Sequence, residues 1–504
     1  MVDPAKKRLR STSSPGVTCW YYSRLYFCLL LLRIYSSISK NRTPVFKFIL
    51  TIAIILAGLM TGLHTGTSDH PLKSPLMERT KYLHHLKTNV HEIFEVFKFI
   101  RRLTLTTGMA MENQRTPDQS ASIIIEDNEL YQNNFAGIRV RGNMPLIIKR
   151  SRIYSNGATG IDIDMQGRVT VSECDIFNNE RSGINIDETI RTVIQKNKIH
   201  QNGRAGVRVW EGDKKAIFVR SMDVKITDNK IYMNRYAGIS SMPEPDEVKI
   251  NLDVAANDIH LNGIAGIRVK NNVRLTVQSN HLHENEMAGI MSHESVIPPE
   301  LDIYQNKISF NSGPGIHIYN GNTGPIGICN NLIFNNERSG ILCGYWGSKY
   351  SKSFVNAQIL HNTIVSNGYS GQGAGIRNES EGEISIMNNI LAYNYVSGIR
   401  ARRCRGYSYN LLFANGYVGS CCDDPKTAPF WAEILQYNGC PGRGRGDLIA
   451  DPLFVNPDKY DFNLQHGSPA MGTAKDMAAS QPRKKPFYRN DIGATGGLYA
   501  AEKH

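Results

Sequence analysis

The chain has 504 residues, 41% of them hydrophobic and 20% charged, with a formal net charge of +13. The excess is uneven: residues 1–110 carry 16 Lys and Arg against 5 Asp and Glu, whereas residues 111–504 carry 42 against 40. A near-neutral body argues against a nucleic-acid footprint over its surface, while its apolar fraction is enough to bury a long core.

Residues 1–44 form a basic lead with Lys6, Lys7, Arg8, Arg10, Arg24, Arg33, Lys40 and Arg42. Val45–Leu63 follows as 19 residues that are apolar apart from Lys47 and a few Thr and Gly. With the basic flank on the cytoplasmic side, this run reads as a transmembrane anchor or a signal segment. The lead is long for a signal peptide and no small-x-small cleavage site follows, which favours the uncleaved anchor. The body is then expected to be exported, either membrane-anchored and facing the periplasm or exterior, or secreted. Leu25–Leu32 is too short to span a bilayer. Residues 72–120 read as a linker. Within it Leu83, Leu86, Val90, Ile93, Phe94, Phe97 and Ile100 fall at helical spacing, giving an amphipathic helix that either caps the open end of the body or links it to the membrane.

From Ile125 to Ala401 one phrase recurs eleven times: apolar-x-x-Asn-x-apolar-x-x-Asn, a short spacer, then Gly-apolar-x-apolar or small. Its glycines stand at 137, 160, 183, 206, 238, 266, 289, 315, 340, 375 and 398, at spacings of 23 to 35 residues. A period of this length means a stacked solenoid. The triplets alternate as strands do, for example Ile161-x-Ile163, Val207-x-Val209 and Ile267-x-Val269. The short Ile- and Val-rich runs lack a helical period. The expected fold is all-β, a right-handed parallel β-helix of about 11–12 coils over residues 121–418, with a loop-rich cap at 419–504. Longer coils mark insertions at 211–223, 240–251, 293–300, 320–325, 344–354 and 368–374.

The asparagines share two registers, one running from Asn128 to Asn410 and one from Asn133 to Asn415, with Ser151 and Cys174 replacing Asn in the first. Each sits where the chain turns. Asn tolerates left-handed backbone, and stacked amides can form a ladder, so these residues are read as structural. Cys174 is read as a core residue. Cys404, Cys421, Cys422 and Cys440 are read as disulfide-forming or free thiols, since their spacing does not suit zinc. Arg445-Gly446-Asp447 is read as a chance adhesion tripeptide.

Outward positions of the triplet strand form two columns. They pair as Arg139/Arg141, Asp162/Asp164, Asn185/Asp187, Arg208/Trp210, Ser240/Met242, Arg268/Lys270, Met291/His293 and His317/Tyr319. Neighbours in a column lie about 4.8 Å apart, so Asp164 and Asp187 face each other and need a cation, a shared proton, or Arg141 and Arg208 to compensate. Carboxylates, arginines and Trp210 on one exposed sheet suit a groove for an acidic sugar, with Arg139, Arg141, Asp162 and Trp210 binding it. An ordinary surface ion-pair ladder would have the same composition. His281, His283, Met287, Met291 and His293 fall within one coil and raise a metal-handling role as a further alternative.

The closing segment, Ala450-Asp451-Pro452-Leu453-Phe454-Val455-Asn456-Pro457 with Asp461-Phe462-Asn463-Leu464, Gly467-Ser468-Pro469-Ala470 and Asp491-Ile492-Gly493-Ala494, resembles the tail of many secreted bacterial β-helix proteins. With the repeats, the resemblance to the pectate-lyase-like superfamily spans roughly residues 123–496. It implies a tail that packs the last coil and closes the core. The resemblance does not itself carry function; the composition of the sheet face is what makes a polysaccharide or envelope glycan the expected partner. For an enzyme of this superfamily (lyase, epimerase or hydrolase) the resemblance implies Asp164 and Asp187 as calcium ligands or acid and base, with Arg208, Arg268 or Lys270 neutralising a uronate or taking its proton. The Asp-Pro-His-Asp signature of mannuronan C5-epimerases is absent, as are contiguous lyase motifs. The repeats also resemble those of periplasmic maturation proteins of nitrous oxide reductase.

Overall fold

The computed structural model describes residues 109–112, 122–165, 167–187, 189–209, 221–243, 249–293, 295–319, 325–344, 354–401, 406–416, 436–438, 443–475 and 491–495. The basic lead, Val45–Leu63, the 76–103 helical pattern, Trp210 and the cysteines at 404, 421, 422 and 440 lie outside them. No helix among the described residues is long and apolar enough to cross a membrane.

Each coil supplies three short strands, and every strand pairs in parallel with its counterpart one coil on. Among the described residues this gives three sheets of 13, 12 and 13 strands. We term them sheets A, B and C in the order they occur within a coil. Sheet A holds the strands that follow the repeat glycines, such as Ile138–Gly142, Ile161–Met165 and Ile184–Asp187. It begins ahead of the recognisable repeats, with Met109–Glu112 paired to Ile138–Arg141. The 211–223 and 240–251 insertions both end inside strands. Their last residues belong to the long sheet B strands Ser221–Thr227 and Lys249–Ala255.

The alternation in sequence sets the inside and outside of the solenoid. Ile161 and Ile163, Ile184 and Ile186, and Val207 and Val209 are wholly buried, as are the middle residues of the sheet C strands, Ile176, Ile199, Ile231 and Ile259. One continuous core therefore runs from Ile125 to Tyr437. Burying each such side chain favours folding by about 1.5–3 kcal/mol. The repeat glycines let successive backbones approach closely. A Cβ on Gly266 would stand 2.6 Å from the carbonyl oxygen of Gly289 on the next coil.

Both asparagine registers form continuous amide ladders. In each, the side-chain oxygen accepts from the backbone N–H and the amide group of the Asn one coil earlier, as Asn262 does from Asn234 at 3.2 and 3.0 Å. The left-handed backbone falls on the residue before each Asn rather than on the Asn: Met233, Leu261, Glu284 and Phe310 have φ of 54–57°. The Asn is held in place by its ladder, while its predecessor absorbs the strain of the turn. The first ladder opens through Ser151 and Cys174, which stand in for Asn as anticipated. It ends on Asp447, whose carboxylate accepts from Asn410 N at 2.7 Å, Tyr437 Oη at 2.7 Å and Gly444 N at 2.9 Å. Asp447 is 1% exposed, so it serves the fold and not adhesion.

The tail does not simply close the end of the core. Leu448–Ile449 extends sheet C beside Leu411–Phe413, but described residues further along the tail lie against the outer face of sheet C. Phe454, Phe462, Leu464, Ala470 and Ile492 pack there on Phe334, Val365, Ile390, Ala392 and Leu411. Those partners are outward residues of sheet C strands, and they are apolar because the tail covers them. Further along the same face, toward the N-terminus, there is no such apolar set. The third residue of each sheet C strand instead builds a stack of rings: Tyr131, Tyr154, Phe177, His200, Tyr232, His260 and His283, with centroids 4.6–5.1 Å apart.

Candidate functional site

Sheet A brings the expected columns together in register. The first runs Arg139, Asp162, Asn185, Arg208, Ser240, Arg268, Met291, His317. The second places Arg141, Asp164 and Asp187 side by side. Lys270, His293 and Tyr319 follow their sheet A strands in the matching position.

The acidic end is organised in two ways. Asp162 and Asp164 are each paired with the arginine one coil earlier, Arg139 Nε at 3.3 Å and Arg141 Nε at 3.3 Å. These pairs are the surface ladder that the composition allowed, and at their exposure they add little stability. Asp187 has a different setting. Its carboxylate accepts from Asn185 Nδ2 at 2.8 Å, and the same amide group donates to Asp162 at 3.0 Å. One NH2 thus bridges two carboxylates, while Asn185 Oδ1 is buried with no hydrogen-bond partner. Burial pushes the Asp187 carboxyl up to about 7; the charges of Asp162 and Asp164 add to this, and the Asn185 bond and Arg208 oppose it. The like-charge conflict read from the sequence is eased by this rise, which favours the protonated form of Asp187.

Beyond Asp187 the face turns cationic. Burial lowers the basicity of Arg208, with further lowering from Arg204 and Arg181, against the pull of Asp187. The Arg268 guanidinium lies over the Tyr236 ring at 5.0 Å, and its Nε is buried without a hydrogen-bond partner. Burial, then the charges of Arg268 and Lys270, depress His293 to about 4, so its imidazole is neutral. His293 and His317 both stack on Tyr319, at 4.9 and 3.9 Å. Arg181, Arg204 and Tyr236 were not anticipated. They sit in the turn before the triplet strand, where successive turns bond through Arg204 N to Arg181 O and Tyr236 N to Arg204 O. Aligning the spacer residues between the second Asn and the Gly would have placed them on the edge of this face.

The carboxylates fit calcium poorly. A hard dication takes 6–8 oxygen ligands, whereas here two carboxylates are paired with guanidinium groups and the third with an amide N–H. Among the described residues, the ligand atoms that converge on one point belong to Asp258, His281 and His283 instead, on sheet C. The anticipated Met/His group divides between faces. His281 and His283 lie on sheet C, whereas His293 is on sheet A and Met291 is buried against Ala265 and Ala288.

A mutant of the periplasmic alginate epimerase AlgG is similar in structure at 13% identity and a TM-score of 0.40, over 59% of this chain and 79% of that one. Pectate lyase Pel9A is similar at 11% identity and a TM-score of 0.33, over 77% and 86%. No curated protein sequence matches. The family described as right handed beta helix region matches residues 107–217 and 207–364. Together with the three parallel sheets and the two Asn ladders, that match makes this chain a member of the right-handed β-helix family.

Proposed function

We propose that this protein binds an acidic polysaccharide along sheet A and moves the proton on the carbon next to a uronate carboxylate, with Asp187 as the acid–base group. The observation that carries this reading is the position of Asp187 at the junction of an acidic and a cationic patch, with its proton held near neutrality. A proton-transfer group works best when its pKa lies near the working pH.

The division of roles follows from charge. A polyanion is repelled by Asp162 and Asp164 and attracted by Arg208, Arg268 and Lys270, so the chain of sugars lies over the cationic coils with its reacting unit beside Asp187. Arg208 is one strand from Asn185 and faces Asp187 electrostatically. Paired with the substrate carboxylate, it would stabilise the charge that develops when the neighbouring C–H proton leaves. Arg268 lies three strands beyond Asn185 in the same column, about 14 Å at the strand spacing. A ligand reaching from Asn185 to Arg268 therefore spans several coils. Arg139 and Arg141 then set the electrostatics of the acidic end rather than grip the polymer. Elimination and epimerisation both begin with this proton transfer. The apolar run Val45–Leu63 supports placing the activity in an exported protein.

The test is a panel of acidic and neutral polysaccharides incubated with the purified protein, following unsaturated uronate ends, reducing ends and uronate stereochemistry. Turnover of an acidic polymer that is lost in Asp187→Asn and Arg208→Gln supports the proposal. Binding without product from any polymer would reduce the protein to a glycan-binding module. New reducing ends without unsaturation would indicate hydrolysis.

A further inference from the structure

Sheet C carries a second cluster that plays no part in the sheet A chemistry. Strand register places Asp258 beside His281 and His260 beside His283 on consecutive coils. Asp258 and the two histidines of His281–His283 offer three ligand atoms that all lie within 4.8 Å of one another. His283 Nε2 is 3.1 Å from Asp258 Oδ1, close to the roughly 3.3 Å that separates two ligands of a tetrahedral zinc ion.

We propose that Asp258, His281 and His283 bind a borderline divalent transition metal such as Zn2+, joining two adjacent coils on the outer face of sheet C. Two imidazoles and one carboxylate suit zinc and its neighbours rather than calcium or magnesium, which take oxygen. Three protein ligands leave the fourth position to solvent, as in zinc sites that exchange a ligand.

The surroundings prepare both rings. His283 terminates the stack of seven rings, lying 4.7 Å from His260, so its plane is fixed before any metal arrives. Its Nδ1 faces Glu284 at 3.6 Å while Nε2 points at Asp258, the arrangement in which a carboxylate behind a histidine orients it toward a metal. The His281 ring lies 4.1 Å from that of His283, stacked against it on the same coil. Lys307, beside His281 on the next coil, and His260, 3.3 Å from Asp258, also face the cluster. Lys307 opposes cation binding, and Glu284 offsets it.

The experiment is a titration of the full-length, tag-free, metal-stripped protein with Co2+, followed by competition with Zn2+. One equivalent of Co2+ with the intense visible absorption of a four-coordinate ion, displaced by Zn2+, is expected. His283→Phe retains a ring in the stack, which already holds Phe177, and so removes the ligand without opening the face. It and His281→Gln should each weaken binding more than about tenfold, whereas His293→Phe on sheet A should not. Absence of saturable binding by folded wild-type protein would overturn the proposal. So would binding that persists unchanged in both sheet C variants. Neither result depends on whether sheet A turns over a polysaccharide.

Discussion

Replacing Asn262 by Ala tests how the ladders hold the solenoid. The Asn262 side chain is wholly buried. Its oxygen accepts from Asn234 N at 3.2 Å and Asn234 Nδ2 at 3.0 Å; its NH2 donates to Ile231 O at 3.2 Å, His260 O at 3.1 Å and Asn285 Oδ1 at 3.0 Å. Truncation removes all of these and deprives the Asn234 backbone N–H of its acceptor inside the coil. At about 1 kcal/mol net for each of the other four hydrogen bonds, with about 1–3 for the buried Asn234 N–H left unmade, the loss is about 5–7 kcal/mol. Asn133→Ala is the matched comparison. Asn133 is half-buried at the start of the ladder, and its side chain donates one bond, to Asn156 Oδ1 at 2.8 Å. That substitution should cost about 1 kcal/mol. Denaturant unfolding followed by circular dichroism gives both values, and amide exchange at Asn234 locates the defect. Equal and small losses for the two variants would refute the reasoning, because they would mean the stacked core alone carries the coils.

Gly266→Ala should destabilise by about 3 kcal/mol, since the new Cβ meets a backbone oxygen at 2.6 Å that belongs to a paired strand and cannot withdraw. Gly327→Ala, whose Cβ would meet the Asp302 side chain at 3.3 Å and Leu301 O at an ordinary 4.0 Å, should change stability by less than about 0.5 kcal/mol in the same thermal melts. Asp187 makes the stability depend on pH. Its folded pKa of about 7 lies above the ordinary 3.8, so the native state binds the extra proton between those values. The stability Asp187 contributes is therefore fully present below about pH 4 and is lost as pH rises toward 7. After discounting for solvent at a half-open face, the fall is about 2 kcal/mol. Melts across that range should show this slope in the wild type and a flatter one in Asp187→Asn; parallel curves would contradict it.

The fold was legible because the repeat states its constraints separately: period 2 for the strands, Gly for the close approach and Asn for the turns. The columns of sheet A followed directly, and Arg139 through Asp187 stand where the period places them. Two things were not legible. Left-handed backbone at Leu261 or Phe310 has no residue signature, because the ladder on the following Asn supplies the energy that permits it. The tail motif carries no indication of which surface it covers. Its destination is written in the outward apolar residues Phe334, Val365 and Ala392, which read as ordinary strand residues until the tail is seen on them. The Asp258–His281–His283 cluster was legible in principle, since Asn257 and Asn280 share a rung and the residues that follow them must align. A search within one coil finds the histidines without the aspartate.

The most direct measurement is the release of tritium from polyuronate labelled at C5, the carbon next to the carboxylate, with wild-type protein and with Asp187→Asn. Elimination and epimerisation both break that bond, so the result is independent of the final product. Release by the wild type at neutral pH, falling away as Asp187 is protonated below about 7 and abolished in the variant, is the predicted outcome. Release that continues undiminished in a folded Asp187→Asn protein, or none from any acidic polymer with the wild type, would contradict the assignment of sheet A as a proton-transfer site.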